Sequence, residues 1–223
     1  MALFTRRSDP TPLSGVDVVL ADLDGVVYAG AGALPHAVEA LTRARDGRRL
    51  AYITNNASRT DAAVAAHLTS LGLPTAADEV VTSPQAAMRL LATKVAPGAT
   101  ILVVGGEGLT REVEKAGYIV TRSAEDRPAA VVQGFATNTD WTIPQSRGIA
   151  PGNGTLVSAV HTAVGRLATV AGKPETPIFD EAVSRFGAHR PLFIGDRLDT
   201  DILGAQRAGI DSALVLTGID RPK

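Results

Sequence analysis

The chain has 223 residues, of which 45% are hydrophobic and 20% are charged, a composition typical of a folded globular protein. At about 150 residues per domain, this length predicts between one domain and two small ones. The 22 basic and 23 acidic residues leave a net charge of -1, which argues against a broad surface for nucleic acid or anionic membrane. Because cysteine is absent, disulfides, thiolate metal sites and a cysteine nucleophile are excluded.

Neither a signal peptide nor a membrane span is predicted. Residues 1–15 carry two arginines but no apolar segment follows them, and no run of about 18 apolar residues occurs along the chain. We therefore expect a cytoplasmic protein with a frayed N-terminal tail.

Short apolar runs alternate with stretches of helical periodicity along the whole chain. Strands are predicted at residues 16–23, 50–54, 79–82, 100–104, 118–121, 129–133, 168–171, 191–194 and 213–216. Helices are predicted at residues 35–47, 60–72, 84–93, 108–116, 155–164, 174–186 and 200–208. Residues 136–154 contain two prolines and an Asn-Gly turn and are predicted to be a loop. This alternation predicts an α/β protein with a mostly parallel sheet.

Polar residues follow several of the predicted strands. Ligands of open α/β sheets bind at the carboxyl ends of the strands, so these positions are the candidate site. The residues are Asp22 and Asp24 after the first strand, Thr54 and Asn55 after the second, Lys173 after residues 168–171, and Asp196, Asp199 and Asp201 after residues 191–194. Carboxylates are ligands that Mg²⁺ prefers, and hydroxyl, amide and ammonium groups bind phosphate. An aspartate can also act as a nucleophile and form an aspartyl-phosphate.

Four segments resemble, in order, the motifs of the haloacid dehalogenase superfamily. They read DLDGVVY, TNNAS, GKP and GDRLDTDI, and the resemblance covers residues 16–218. Each motif alone is a weak signal, but all four in order, each after a predicted strand, are specific. The chain looks most like the class IIA branch, which includes NagD-like proteins, p-nitrophenylphosphatases, and phosphoglycolate and glycerol-phosphate phosphatases.

The resemblance implies a Rossmann-like parallel-sheet core with an inserted α/β cap domain. The core would consist of residues 1–58 and 165–223, and the cap of residues 59–164. Both the cap and the C-terminal part of the core look shorter than in typical members. One cap loop, at residues 137–148, would approach the substrate, and within it we single out Asp140 and Trp141. Trp141 either packs on the substrate or anchors the loop.

Catalytic and metal-binding roles also follow from the resemblance. Asp22 would be the nucleophile and a magnesium ligand, and Asp24 the general acid and base. Asp24 would also bind the metal through its main-chain carbonyl oxygen. Asp196 would be the third metal ligand, and Asp201 would orient that site. Thr54, Asn55 and Lys173 would bind the phosphoryl group of the substrate.

The implied activity is Mg²⁺-dependent hydrolysis of small phosphate monoesters through an aspartyl-phosphate. Glycerol phosphate and phosphoglycolate are the expected substrate types, with p-nitrophenyl phosphate as a substrate in vitro. The alternatives are an inactive or weakly active homologue, a phosphotransferase or mutase, and a phosphate-accepting signalling module. We expect a small phosphorylated metabolite as partner, neither nucleic acid nor membrane, and a homodimer through the cap as one candidate assembly.

Two other patterns do not support a different function. The segment VVGGEGLTR follows a predicted strand, but it lacks the third glycine of a dinucleotide-binding loop. The four histidines fall in no spacing typical of metal ligands.

Overall fold

The computed structural model of the chain describes residues 11–134, 142–145, 148–151, 153–165 and 167–220. The strands are β1 (Val18–Ala21), β2 (Tyr28–Ala29), β3 (Gly32–Ala33), β4 (Arg49–Thr54), β5 (Val80–Thr82), β6 (Thr100–Val104), β7 (Ile119–Thr121), β8 (Ala130–Gln133), β9 (Thr142–Gln145), β10 (Gly148–Pro151), β11 (Pro191–Gly195) and β12 (Asp211–Leu214). The helices are α1 (Ala37–Ala44), α2 (Asp61–Ser70), α3 (Ser83–Ala92), α4 (Glu107–Lys115), α5 (Asn153–Val164), α6 (Pro177–Phe186) and α7 (Leu203–Arg207). This alternation confirms the predicted α/β fold class.

Five parallel strands form the main sheet, in the order β12-β11-β1-β4-β5. The central strand β1 consists of four apolar residues that are all buried, which suits a strand covered on both faces. It pairs with β11 in the register Val18↔Pro191 and with β4 in the register Val18↔Arg49. The carboxyl ends of these three strands therefore lie side by side.

Helices cover both faces of the main sheet. Because successive side chains of a strand point to opposite faces, β1 contributes to two separate apolar clusters. Val19 belongs to the cluster that includes Leu68 of α2, and Leu20 to the cluster that includes Phe179 of α6. Packing on both faces holds each strand in place within the sheet. It thereby also sets the positions of the residues that follow the strand ends.

A second, smaller sheet contains three parallel strands in the order β7-β6-β8. Ile101 and Val103 of β6 are buried on the face that packs against Leu109 and Val113 of α4. This sheet has its own apolar core and lies in the part of the sequence predicted to be the cap.

The main sheet extends past the predicted cap boundary at residue 59. β5 pairs with β4 in the register Tyr52↔Val80, and Val64 of α2 belongs to the core beneath them. In α3, Ala86 packs in the main core, whereas Met88 packs in the core of the smaller sheet. We therefore propose that the inserted unit begins within α3 and not at residue 59.

Two local predictions are wrong. The predicted loop at residues 136–154 contains an antiparallel pair, β9 with β10, in the register Thr142↔Pro151. Conversely, no strand forms at residues 168–171, although Ala171 is buried. Ala168 and Thr169 are exposed to solvent, so this segment lacks the burial that a strand covered on both faces would have.

Among the described residues, no helix combines the length and the hydropathy that a membrane crossing requires.

Candidate active site

Asp22 and Lys173 form a buried ion pair at the carboxyl end of β1. The main-chain N–H of Asp22 donates to the carbonyl of Ile194, which continues the pairing with β11 by one residue beyond the strand. The Nζ of Lys173 lies 2.7 Å from Oδ1 of Asp22 and 2.6 Å from Oδ1 of Asp201. A single ammonium group thus joins the carboxylates that follow two neighbouring strands.

Asp201 is held by the main chain that follows β11. Its Oδ2 accepts hydrogen bonds from the N–H groups of Asp196 (3.0 Å) and Arg197 (3.2 Å). Asp201 lies in the π-helical turn Leu198–Ile202, which leads directly into α7, and its side chain is completely buried. The turn thus places the Asp201 carboxylate next to the residues that follow β11, although Asp201 itself lies just before α7.

Asp196 completes a cluster of three buried acids. Candidate ligand oxygens of Asp22, Asp196 and Asp201 all lie within 4.8 Å of one another. Oδ2 of Asp196 accepts a hydrogen bond from the N–H of Ile219 (2.8 Å). Oδ1 of Asp196 is buried and has no hydrogen-bond partner among the described residues. An orphaned carboxylate oxygen in such a cluster is unfavourable unless a cation or another donor binds it.

The cluster holds more negative than positive charge. Burial raises the pKa of Asp22 to about 8, although the charge of Lys173 opposes this shift. Burial also raises the pKa of Asp196. Burial alone would lower the pKa of Lys173, but the carboxylates of Asp201 and Asp22 outweigh it and raise this pKa. Three acids and one ammonium group leave an excess of negative charge. A divalent cation that prefers oxygen ligands, such as Mg²⁺, would compensate this excess.

A tight turn presents Asp24 just beyond the strand end. The carbonyl of Leu23 accepts the N–H of Val27 (2.8 Å), and the N–H of Gly25 donates to the carbonyl of Tyr28 (2.9 Å). Gly25 adopts a φ of +84°, a conformation that side chains with a Cβ rarely tolerate. The turn leads into the short antiparallel pair of β2 and β3, which begins four residues after Asp24.

Asp24 is an exposed residue. Partial burial of its carboxyl group nevertheless raises its pKa, against the charges of Lys173, Arg59 and His67. A carboxyl group that keeps its proton to higher pH and remains accessible can donate that proton to a bound molecule.

Thr54 and Asn55 follow β4 on the other side of β1. Thr54 is 2% exposed, and its Oγ1 accepts the N–H of Asn56 (3.1 Å). The Asn55 side chain forms a reciprocal pair with the main chain of Lys173. Its Nδ2 donates to the Lys173 carbonyl (3.0 Å), and its Oδ1 accepts the Lys173 N–H (2.8 Å). In this structure the Asn55 amide therefore holds the lysine loop against the end of β4.

The structure brings together the predicted residues Asp22, Lys173, Asp196 and Asp201 and places Asp24, Thr54 and Asn55 at the same edge of the sheet. Asp140 and Trp141 lie outside the described residues.

Sequence reasoning missed the residues that contact Asp196 from the C-terminal side. A Cβ atom at Gly218 would overlap the carboxylate of Asp196, and the main-chain N–H of Ile219 donates to this carboxylate. These contacts use the main chain and the absence of a side chain, so no polar residue type marks them. The one available signal is a glycine just after a predicted strand.

Comparison with known proteins places this site in a family. A model of haloacid dehalogenase-like hydrolases matches residues 19–119, and a second model, of HAD-hydrolase-like proteins, matches residues 170–223. A glycerol-3-phosphate phosphatase from Gallus gallus is 37% identical, over 93% of this chain and 81% of the relative. The chain belongs to the haloacid dehalogenase-like hydrolases.

Within this family, mycobacterial proteins are among the similar relatives. A D-glycerol 3-phosphate phosphatase from Mycobacterium tuberculosis is 44% identical over 92% of this chain, which spans only 64% of that relative. The structure of a glycerol phosphate phosphatase from M. tuberculosis in complex with magnesium superposes with a TM-score of 0.87, at 43% identity, over 93% of this chain and 70% of that one. The similarity in fold confirms the predicted core of a haloacid dehalogenase-like hydrolase.

Proposed function

We propose that this chain hydrolyses small phosphate monoesters with Asp22 as the nucleophile. The observation that carries the proposal is the buried cluster of Asp22, Asp196 and Asp201 around the single ammonium group of Lys173. The membership of the chain in a hydrolase family supports the same chemistry.

Mg²⁺ is the proposed cofactor. Asp22 and Asp196 would hold it through their carboxylates and Asp24 through its main-chain carbonyl, while Asp201 keeps the surrounding groups in place. When bound, Mg²⁺ supplies positive charge that stabilises the transferring phosphoryl group. The unpartnered Oδ1 of Asp196 and the excess negative charge of the cluster support this assignment.

In the first proposed step, a carboxylate oxygen of Asp22 attacks the phosphorus atom of the ester. A bond forms between this oxygen and phosphorus, and the bond between phosphorus and the ester oxygen breaks. Asp24 donates its proton to the leaving oxygen, so the alcohol departs uncharged. Lys173 and the Thr54 hydroxyl stabilise the negative oxygens of the phosphoryl group.

In the second proposed step, water hydrolyses the aspartyl-phosphate. The carboxylate of Asp24 accepts a proton from water, whose oxygen attacks phosphorus while the acyl-phosphate bond to Asp22 breaks. Inorganic phosphate leaves, and both carboxyl groups return to their initial states. The elevated pKa of Asp24 suits this alternation between acid and base.

Glycerol phosphates are the first substrates to test, because two of the similar relatives are named for them. Hydrolysis of glycerol 3-phosphate, phosphoglycolate and p-nitrophenyl phosphate should be measured with Mg²⁺, with a chelator, and with the Asp22→Asn variant. We expect turnover that needs both Mg²⁺ and Asp22. Turnover that persists in both the chelator and the variant would refute the proposal, and binding of Mg²⁺ without any turnover would identify an inactive homologue.

A further inference from the structure

The segment of residues 217–220, which follows β12, folds back over the Asp196 side of the cluster. The Thr217 Oγ1 donates to the carbonyl of Gly25 (2.6 Å), and the N–H of Ile219 donates to Oδ2 of Asp196 (2.8 Å). The segment therefore bridges the loop after β1, which carries Asp24, and the loop after β11, which carries Asp196.

Asp220 fixes the far end of this segment. Its N–H donates to the main-chain carbonyl of Asp196 (3.2 Å), and its Oδ2 accepts the N–H of Leu198 (2.6 Å). Contacts at both ends of the segment thus restrict how far it can move from Asp196.

Two glycines pack against the same carboxylate. A Cβ atom at Gly218 would overlap Oδ2 and Cγ of Asp196, and one at Gly25 would overlap Oδ2 from the loop after β1. Since neither carries a side chain, the main chain approaches Asp196 from two directions. The carboxylate has little room to rotate between them.

The two carboxylate oxygens of Asp196 differ in their contacts. Oδ2 lies between the glycines and accepts the hydrogen bond from Ile219, whereas Oδ1 is buried and lacks a donor among the described residues. A carboxylate that is satisfied on one oxygen and bare on the other is prepared to bind a cation through the bare oxygen.

We propose that residues 217–219 are positioning residues for the metal site. They orient the Asp196 carboxylate so that Oδ1 is the oxygen that ligates the cation. Thr217 acts through Gly25, Gly218 by leaving room for the carboxylate, and Ile219 through its N–H group. The inference rests on the metal site of the proposed function and adds residues to it that lie outside the four motifs.

The test is the dissociation constant of Mg²⁺ alone, measured by isothermal titration calorimetry on the full chain. Groups behind a metal ligand typically change affinity by about 10- to 100-fold, so we expect Gly218→Ala to weaken Mg²⁺ binding within that range. Thr217→Val, which removes the hydroxyl donor, should weaken binding less, and Thr217→Ser should restore the wild-type constant.

Gly32→Ala serves as the matched control for Gly218→Ala. It adds a Cβ atom where nothing lies within 4 Å, so it should not alter Mg²⁺ binding. A Gly32→Ala variant that weakens Mg²⁺ binding as much as Gly218→Ala would contradict a specific role for Gly218.

Melting temperatures in the presence of a chelator separate positioning from folding. A purely structural role would lower these temperatures and leave the Mg²⁺ constant of the folded protein unchanged, and that result would overturn the inference. If Gly218→Ala does not fold, Thr217→Val and Thr217→Ser decide the question. A wild-type chain that binds no Mg²⁺ would overturn the metal site itself, whereas wild-type affinity in the Thr217 and Gly218 variants would overturn this inference alone.

Discussion

The two parallel sheets of this protein differ in what lies at their carboxyl ends. The main sheet ends in a buried cluster of three acids and one lysine. The three-stranded sheet ends in an open recess of about 460 Å³, lined by Gly105, Gly106, Glu107, Thr110, Arg111, Glu114 and Arg122. Both places lie at the carboxyl ends of parallel strands, which is where ligands of open α/β sheets bind. They differ in how their charges are compensated.

Charges in the recess are paired with one another or with the main chain. Arg111 lies 3.6 Å from Glu107 and 3.4 Å from Glu114, and all three side chains are exposed. Arg122 donates to the carbonyls of Val103 (2.6 Å) and Gly105 (3.1 Å) and so serves the local fold. In the cluster, by contrast, the charges are buried and unbalanced. A strand end thus becomes a strong candidate for catalysis when it buries charge that the protein itself does not neutralise.

The largest expected effect is on kcat, which should depend on the cluster of the main sheet and not on the recess of the three-stranded sheet. Asp22→Asn removes the proposed nucleophile and should reduce kcat for glycerol 3-phosphate or p-nitrophenyl phosphate on the order of 10⁴-fold. The control Glu107→Gln, in the recess, should retain wild-type kcat. Steady-state phosphate release measures both, and a Glu107→Gln variant as inactive as Asp22→Asn would reverse the comparison.

Stability should distinguish the two regions next. Lys173→Met leaves Asp22 and Asp201 buried without their cation and should lower the free energy of unfolding by about 3–5 kcal/mol. Arg122 is exposed and loses only hydrogen bonds, so its replacement by methionine should cost less, about 1–2 kcal/mol. Urea unfolding in the presence of a chelator gives both values. Equal losses of unfolding free energy in the two variants would show that the buried ion pairs of the cluster contribute no more to stability than the exposed Arg122.

A smaller effect tests how the cluster is supported. Asn55→Ala removes both hydrogen bonds to the main chain of Lys173 and should lower the free energy of unfolding by about 1–3 kcal/mol. The neighbouring exposed Asn56, replaced by alanine, is the control and should have a weaker effect. If Asn55→Ala instead raises KM with unchanged stability, the side chain binds phosphate, as the sequence motif predicts.

The smallest effect per step, at most about 1.4 kcal/mol of unfolding free energy per pH unit, concerns pH in the metal-free protein. The pKa of Asp22 rises from 3.8 to about 8 on folding, so the folded chain binds more protons than the unfolded chain between these values. The contribution of Asp22 to stability is therefore present at low pH and is lost as the pH rises through this window. Unfolding free energies at two pH values within the window should fall more steeply for the wild type than for Asp22→Asn. Identical slopes would contradict the assigned shift.

Much of this site could be predicted because its residues follow strands whose apolar patterns are strong. The valine-rich run of β1 places Asp22, and the run of β11 places Asp196, independently of any detail of the loops. Asp201 was predictable from its motif spacing, although the π-helical turn that places it was not.

Other features depend on contacts between distant segments and leave no local pattern. Lys173 follows residues 168–171, which form no strand, and the Asn55 side chain fixes its main chain across 118 residues of sequence. The pairing of β9 with β10 includes Pro144 and Pro151, residues that favour loops in a local interpretation. The contact of Gly218 with Asp196 uses no side chain at all. In each case tertiary contacts decide the conformation, and local propensity does not.

The most direct test of the account is to locate the transferred phosphoryl group. The wild-type chain would be mixed with Mg²⁺ and phosphorus-radiolabelled glycerol 3-phosphate, quenched with acid during turnover, and digested for peptide mapping. We expect an acid-stable, base-labile label on the peptide that carries Asp22, and none in the Asp22→Asn variant. Hydrolysis that proceeds with no label on that peptide, and at an equal rate in the variant, would contradict it.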